Sequence, residues 1–226
     1  MNGSREVPGS HRYVGQRRAL IEKIRERGVD DLDILRRFDE IPRHLFVPEG
    51  VWPRAYDDTP LPIGFGQTAS QPSLQAYYLE VLAPQPDEKV LELGTGSGYL
   101  TALLASMADR VYSIDRIREL SNRARQVLDD LAIRNVALMV GDGTIGWRKY
   151  APFDVIVVSA ASPSVPQALV DQLAEGGRML IPVGDRDTQK LILVRKDGFI
   201  VSQEELAGEV RFVPLLGRFA FPDDGG

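Results

Sequence analysis

The spacing of apolar residues predicts helices in the first part of the chain. Between residues 13 and 27, apolar side chains such as Leu20 and Ile24 recur at helical spacing, and Gly28 is suited to end that helix. A second, shorter helix is predicted over residues 31–38.

The segment from residue 40 to residue 66 is interrupted by prolines, which remove backbone donors and restrict the backbone angle φ. These prolines are Pro42, Pro48, Pro53, Pro60 and Pro62. We therefore expect an irregular but ordered loop here.

From residue 74 onward, helical and strand-like patterns alternate. Helices are predicted over 74–82, 99–107, 118–131 and 166–173, and strands over 89–93, 110–114, 136–140, 154–158 and 178–183. Three more strands, without intervening helices, are predicted over 190–195, 199–206 and 210–214. This alternation indicates an α/β fold with a doubly wound, Rossmann-like sheet that is mostly parallel. The first helices form an N-terminal cap, and the last strands form a β-rich C-terminal end.

The length of 226 residues suits one α/β domain. Residues 1–12 are small, polar and charged, and we expect them to form a disordered tail before a single domain over 13–226. Within that domain, residues 13–73 hold the N-terminal helices and a loop expected at the active site. Residues 74–184 form a cofactor-binding core, and residues 185–226 form the C-terminal strands.

Composition narrows the possible functions. The net charge of −5 argues against a nucleic-acid partner. Cysteine is absent and His11 and His44 are the only histidines, so we expect neither disulfides nor a metal site. The N-terminus lacks an apolar signal region, and no apolar run reaches the ~18 residues of a membrane span. We therefore expect a cytoplasmic protein without a membrane partner.

Candidate chemistry is concentrated in Val90-Leu-Glu-Leu-Gly-Thr-Gly-Ser-Gly-Tyr99, where a buried strand runs into three alternating glycines. Glycine permits positive φ and close approach of a ligand to the backbone. A dinucleotide-binding turn has a small residue where Tyr99 stands, and Glu92 fits poorly beside a pyrophosphate. Glu92 instead suits the cationic methionine end of S-adenosylmethionine, directly or through water.

Two further acidic residues agree with this cofactor. Asp115 ends the next predicted strand, 115 − 94 = 21 residues after Gly94, where it can accept both ribose hydroxyls. Asp142 follows the strand after that, where it can accept the adenine amino hydrogen. Each residue alone is also compatible with an ordinary strand-end or capping role, but the three acidic positions in register favour S-adenosylmethionine.

Several segments between about residue 13 and residue 217 extend the pattern beyond the glycine turn. They are Pro42-Arg-His-Leu-Phe-Val-Pro48, Pro62-Ile-Gly-Phe-Gly-Gln-Thr-Ala-Ser-Gln-Pro72, Gly94–Tyr99, Gly141-Asp-Gly143, Ala151-Pro-Phe-Asp154, Ala160-Ala161, Gly176–Gly184 and Val210–Leu215. Together they resemble the protein-L-isoaspartate O-methyltransferase family. The segment from Gln67 to Pro72 points to this family most specifically, with Ala69 in place of its usual isoleucine.

The resemblance implies a class I methyltransferase fold, S-adenosyl-L-methionine as cofactor, S-adenosyl-L-homocysteine as product, and Ser70 at the active site. The implied cofactor-binding residues are Thr68, Ala69, Ser70, Gln75, Glu92, Gly94, Thr95, Gly96, Ser97, Gly98, Asp115, Arg116, Asp142, Gly143 and Gln189. The implied substrate-binding residues are Ser70, Arg211 and Val213, although Arg211 is equally compatible with a surface ion pair. Gln75 stands where some relatives have histidine.

The reaction implied by the resemblance is methyl transfer to the free α-carboxylate of L-isoaspartyl residues in damaged proteins and peptides, which initiates their repair. Such a carboxylate is ionised near neutral pH, so no base has to remove a proton. The enzyme must align the reacting atoms, and the hydroxyl of Ser70 is suited to orient the carboxylate. Ser70 also precedes a predicted helix, so the residues alone leave a capping role open.

Other hypotheses remain alongside this one. One is a methyltransferase that acts on another carboxylate or small-molecule acceptor. Another is a cofactor-binding scaffold without catalysis. For the isoaspartyl hypothesis, the partners are damaged proteins and peptides, and we expect the enzyme to be a monomer.

Overall fold

The computed structural model of the chain describes residues 10–222. Of the predicted tail over 1–12, residues 1–9 lie outside this part. Residues 10–12 belong to a 3-10 turn, Ser10–Tyr13, so for them the prediction of a disordered tail is wrong. No helix within the described residues is both long and apolar enough to cross a membrane.

The described residues contain helices both in the N-terminal part and in the alternating region from residue 72 onward, and strands from residue 61 onward. The α-helices α1 to α6 are Val14–Glu26, Leu32–Glu40, Pro72–Leu82, Tyr99–Ala105, Arg118–Asp130 and Gln167–Val170. The strands β1 to β9 are Leu61–Gly64, Gln67–Ala69, Lys89–Leu93, Arg110–Asp115, Val136–Val140, Phe153–Val158, Leu173–Gly184, Gln189–Asp197 and Ile200–Val210. Short 3-10 turns lie at Arg43–Phe46, Glu49–Arg54, Gly143–Ile145 and Arg148–Tyr150.

Seven strands form one sheet in the order β5-β4-β3-β6-β7-β8-β9. The first five in this order are parallel, and β8 and β9 extend the sheet as antiparallel strands. The predicted doubly wound, mostly parallel sheet with a β-rich end is confirmed. Strand order reverses between β3 and β6, and open α/β sheets bind ligands in the crevice at such a point.

Alternate residues of the central strands face opposite sides of the sheet. Val90 of β3 and Val155 of β6 pack into the apolar cluster that includes helices α1 to α5. Leu91 and Ile156 pack into a second cluster that includes α6. Because both faces are covered, these strands are almost uniformly apolar.

Tyr99, the first residue of α4, joins the N-terminal cap to the sheet. Its buried ring lies 5.9 Å edge-on from that of Phe38 in α2 and 5.5 Å from that of Phe46, between ring centroids. The residue that departs from a dinucleotide-binding turn therefore packs the N-terminal cap against the sheet and its helices.

The region around residues 166–183 differs from prediction. The predicted helix over 166–173 is limited to α6, and the strand predicted over 178–183 already begins at Leu173. Leu173 pairs with Phe153 across an irregularity in the register, so the chain becomes extended before the helix can continue.

Two other strand predictions were incomplete. Residues 211–214 do not continue a strand, because β9 ends at Val210, opposite Gln189 at the start of β8. The hairpin β1–β2 was missed, since Pro62 favoured a loop. It pairs Leu61 with Ala69, and as a two-stranded hairpin it accommodates a proline at an edge.

The tight packing of Gly98 against α5 generates a stability prediction. Gly98 has φ of +85°, and an added Cβ would lie 2.8 Å from Cβ of Ala124. We expect Gly98→Ala to lower the free energy of unfolding by roughly 2–4 kcal/mol, from left-handed backbone strain and overpacking. Denaturant unfolding measures this, and Gly98→Ala combined with Ala124→Gly should be less destabilised than the sum of the single changes.

Gly15 in α1 provides the matched control. An added Cβ there meets no atom within 4 Å. Gly15→Ala should therefore be neutral or stabilising by up to about 1 kcal/mol. Wild-type stability in Gly98→Ala would contradict the packing described for the glycine turn.

Candidate active site

A cavity of about 590 Å³ lies at the carboxyl ends of the parallel strands, within the size range of ligand pockets. It is lined by the end of β3 and the glycine turn, the end of β4 and the start of α5, and the hairpin β1–β2. The predicted cofactor-binding residues that line it are Thr68, Ala69, Ser70, Gln75, Gly94, Thr95, Gly96, Ser97, Asp115, Arg116 and Gly143. Gly98 does not line it, because it packs against α5.

Asp115 holds the glycine turn against the end of β4. Its Oδ2 accepts a hydrogen bond from the backbone N–H of Gly96 at 2.7 Å, and its Oδ1 accepts one from that of Ile117 at 2.8 Å. Burial raises the pKa of the Asp115 carboxyl, although these N–H groups favour its charged form. The carboxylate lines the cavity and keeps lone pairs available for a ligand.

Glu92 does not line the cavity, and its predicted cofactor contact, direct or through water, stays a prediction. It is fully buried, and its Oε2 accepts hydrogen bonds from the hydroxyls of Thr101 at 2.5 Å and Ser113 at 2.6 Å. The hydroxyls of Ser113 and Thr95 lie 2.6 Å apart, so a hydrogen-bonded chain runs from the glycine turn to the Glu92 carboxyl. The strand position of Glu92 directs it to the face of the sheet covered by α4.

Asp142 does not line the cavity either, although the neighbouring Gly143 does. Its Oδ1 accepts hydrogen bonds from the N–H of Thr144 at 2.8 Å and the hydroxyl of Thr144 at 2.7 Å. Its Oδ2 accepts one from the N–H of Arg218 at 2.8 Å. The pKa of Asp142 is lowered overall, because these hydrogen bonds outweigh the opposing effect of burial. The structure thus uses Asp142 to hold the C-terminal segment at Arg218, and the predicted adenine contact stays a prediction.

Gln189 is the third predicted cofactor-binding residue that lies elsewhere. Its side chain is buried, with Nε2 donating to the carbonyl of Asp185 at 2.7 Å and Oε1 accepting from the N–H of Phe212 at 2.8 Å. Gln189 therefore positions the segment that carries Arg211 and Val213, but it does not line the cavity.

Gln75 in α3 fits the predicted ligand-binding role. It lines the cavity and is 6% exposed, yet its Oε1 has no hydrogen-bond partner within the described part of the chain. Buried polar atoms are usually paired. An acceptor held in this way is suited to a donor on a ligand.

Ser70 lies at a wall shared by two cavities. The second cavity, of about 540 Å³, adjoins the first, and the residues common to both linings are Thr68, Ser70, Ser159 and Val213. The carbonyl of Ser70 accepts a hydrogen bond from Arg43 at 3.1 Å, whereas its hydroxyl bonds to no group in residues 10–222.

The capping alternative for Ser70 is not supported. Gln71 is the N-cap of α3, and no side-chain cap is made there. Instead, Asp58 accepts a hydrogen bond from the backbone N–H of Ser73 at 2.9 Å and another from the Gln71 side chain at 2.9 Å. The start of α3 is therefore held by Asp58, and the Ser70 hydroxyl stays available to bind a ligand.

The predicted substrate-binding residues Arg211 and Val213 both line the second cavity. Arg211 lies beyond the end of β9, with its guanidinium 3.8 Å from Asp187, and the two side chains are 79% and 87% exposed. Such an exposed pair contributes little to stability, so Arg211 can reorient toward an anionic ligand.

Sequence reasoning missed several residues of the site. Ser159, which lines both cavities, directly follows β6, and its position at a strand end was the available signal. Phe65 lines the first cavity and Tyr77 lines the second. Phe65 is placed by the hairpin, and Tyr77 by the proximity of α3 to the end of β9. The spacing of apolar residues along the chain reveals neither arrangement.

Comparison with known proteins adds independent information. The family described as protein-L-isoaspartate(D-aspartate) O-methyltransferase matches residues 15–220. A protein-L-isoaspartate O-methyltransferase of Syntrophus aciditrophicus is 47% identical over 213 residues, 93% of this chain and 98% of that protein. One from Dictyoglomus thermophilum is 46% identical over 211 residues, 93% of this chain and 96% of its own length.

Solved structures agree in fold. A protein-L-isoaspartate O-methyltransferase is 30% identical with a TM-score of 0.80, and the match covers 90% of this chain and 67% of that one. A Plasmodium falciparum protein assigned to the same enzymes, solved with S-adenosyl-L-homocysteine, is 27% identical with a TM-score of 0.78. That match covers 88% of this chain and 98% of the other.

The buried carboxyl of Glu92 predicts a pH dependence of stability. Burial raises its pKa from the usual 4.5 to about 7, against hydrogen bonds from Ser113 and Thr101. The unfolded chain therefore releases this proton at lower pH than the folded chain does. The free energy of unfolding should fall as pH rises from about 4.5 to about 7, with Glu92 contributing a loss of about 3 kcal/mol.

Glu92→Gln removes the titrating group. The fall in the free energy of unfolding between pH 5 and pH 8 should therefore be smaller in this variant than in wild type, by about 3 kcal/mol. Denaturant unfolding at the two pH values measures it. Glu22→Gln, at an exposed site on α1, should keep the wild-type difference. The same pH dependence in Glu92→Gln and wild type would contradict this account of the buried carboxyl.

Proposed function

This chain belongs to the protein-L-isoaspartate(D-aspartate) O-methyltransferase family, and from that membership we propose which of its residues carry out the reaction. The chain is an S-adenosylmethionine-dependent enzyme that methylates the isoaspartyl residues of damaged proteins.

The first cavity fits S-adenosylmethionine. Gly94, with φ of +92°, forms a cradle in which an added Cβ would lie 3.4 Å from Cβ of Ser159. The Asp115 carboxylate is placed to accept the ribose hydroxyls, and the unpaired Oε1 of Gln75 is suited to the amino group of the methionine end. When bound, the cofactor supplies a methyl group on a sulfonium centre.

Glu92, Asp142 and Gln189 are assigned supporting roles in this proposal. Glu92 stabilises the glycine turn through Ser113, Asp142 fixes the segment at Arg218, and Gln189 fixes the segment at Phe212. Their effects on cofactor binding are therefore indirect.

The second cavity is proposed to hold the peptide on either side of the isoaspartyl residue. Its lining is mostly uncharged, which suits recognition of many sequences, and its charged residues are Arg27, Glu209 and Arg211. The uncharged residues include Pro60, Gln71, Leu74, Tyr77, Val210 and Phe212. Arg211 at its rim is proposed to attract the acceptor carboxylate, and Val213 to contact it at the shared wall.

The observation that carries the proposal is the position of Ser70, which lines both cavities and whose hydroxyl has no hydrogen-bond partner in residues 10–222. The hydroxyl can donate to one oxygen of the acceptor carboxylate. The other oxygen would then be oriented toward the first cavity, where its lone pair would attack the methyl carbon while the C–S bond breaks and its electron pair returns to sulfur, leaving S-adenosylhomocysteine. No proton has to be removed, so alignment and exclusion of water are the tasks left to the chain.

Acceptors other than isoaspartyl peptides fit the site less well. A small-molecule acid would not need an adjoining cavity nearly as large as the first one.

Matched peptides that differ only in an aspartyl or isoaspartyl linkage test the function. With methyl-labelled S-adenosylmethionine, we expect label on the isoaspartyl peptide and none above background on the aspartyl peptide. Label on neither peptide, from protein that binds the cofactor, would favour another acceptor or a non-catalytic scaffold.

Ser70→Ala tests the proposed alignment. Loss of one orienting hydrogen bond to a charged group should lower kcat on an isoaspartyl peptide about ten- to a hundredfold, while cofactor affinity changes much less. Ser70→Thr keeps the hydroxyl and should retain partial activity. Ser106→Ala is the matched control, because the Ser106 hydroxyl donates to Leu103 at the end of α4. Full turnover in Ser70→Ala would mean that backbone groups of the loop provide the alignment.

A further inference from the structure

The tip of the hairpin β1–β2 lies at the edge of the first cavity. Ile63 and Gln67 line the cavity from the two strands, and Phe65 lines it from the tip. The buried side chains of Leu61 and Ile63 anchor the hairpin to the core. On the other side of the tip lies α5, whose first turn also contributes to the cavity wall.

Phe65 adopts a backbone conformation that is unusual for an aromatic residue. Its φ is +54°, between Gly64 at +93° and Gly66 at +69°. Positive φ strains bulky residues, and glycine would form the same turn without that strain. The ring is nevertheless 50% exposed beside the cavity, so packing in the core does not account for it either. Residues held in such conformations are frequently part of functional sites.

Arg123 of α5 holds the tip in place. Its guanidinium lies 5.4 Å from the centroid of the Phe65 ring, and its Nη1 donates to the carbonyl of Ile63 at 3.4 Å. No carboxylate pairs with Arg123 among residues 10–222. Its contacts are therefore directed to the hairpin, with one to the backbone and one to the aromatic face.

We propose that Phe65 contacts the bound cofactor and retains it in the first cavity, and that Arg123 is the positioning residue that holds the ring over the cavity edge. The half-exposed ring gains contact area when the cavity is filled, and this slows release of the ligand. The inference rests on the proposed cofactor site but adds two residues to it.

Dissociation of S-adenosylhomocysteine from the immobilised full chain, followed by surface plasmon resonance, tests the proposal. We expect Phe65→Ala to raise the dissociation rate about tenfold and Arg123→Ala to raise it roughly three- to fivefold. The double variant should resemble Phe65→Ala alone, because Arg123 acts through the ring. Phe199→Ala is the matched control: this fully exposed phenylalanine lies at the turn between β8 and β9, outside both cavity linings.

Phe65→Gly separates the role of the ring from that of the backbone. It should release S-adenosylhomocysteine as fast as Phe65→Ala, but with a Tm higher than that of Phe65→Ala by roughly 2–4 °C, because glycine relieves the strain. If the role of Phe65 were purely structural, the more stable Phe65→Gly would instead release S-adenosylhomocysteine more slowly than Phe65→Ala.

If Phe65→Ala and Arg123→Ala both release S-adenosylhomocysteine at the wild-type rate, this inference is overturned. The proposed cofactor site would still stand, because the wild-type chain would still bind the ligand and methylate isoaspartyl peptides. Additive effects in the double variant would overturn the positioning role of Arg123. Failure of the wild type to bind S-adenosylhomocysteine would overturn this inference together with the proposed cofactor site.

Discussion

The guanidinium of Arg43 is completely buried beneath the proline-rich segment, and it donates hydrogen bonds to the carbonyls of Ala55, Asp57, Thr59 and Ser70. Burial lowers the pKa of Arg43, and removing a cation from water is costly unless its donors are satisfied. These bonds satisfy Nη1 and Nη2, whereas Nε has no hydrogen-bond partner among the described residues. The segment between α2 and the hairpin forms no strand ladder, so side-chain donors replace one. A single buried side chain thereby fixes the distance between the irregular segment and the start of α3.

The chemistry of the site follows from that constraint. Arg43 binds the carbonyl of Ser70, and Asp58 binds the first turn of α3, so the Ser70 backbone is held on both sides while its hydroxyl stays available. On the opposite wall, Asp115 holds the glycine turn at Gly96. Methyl transfer to an ionised carboxylate needs aligned atoms more than proton transfer, and alignment is the role proposed for Ser70 at the wall shared by the two cavities.

The sequence predicted the sheet well, because strands buried on both faces are apolar runs and the helices between them follow a helical period. It also predicted that Asp115 and the glycine turn line the cavity, since strand ends meet at one edge of a parallel sheet. Glu92, Asp142 and Gln189 were assigned from motif position; each is held by tertiary partners and does not line the cavity, so their cofactor contacts stay predictions. The hairpin and Phe65 were missed because their position depends on contacts with α5 that no local pattern records.

A crystal structure of the complex with S-adenosylhomocysteine and an isoaspartyl peptide tests the central claim most directly. The account predicts the acceptor carboxylate at the wall shared by the two cavities, with one oxygen within about 3 Å of Oγ of Ser70 and the other directed at the sulfur. A carboxylate bound away from Ser70, in a complex that keeps the hydrogen bond from Arg43 to the Ser70 carbonyl, would contradict it.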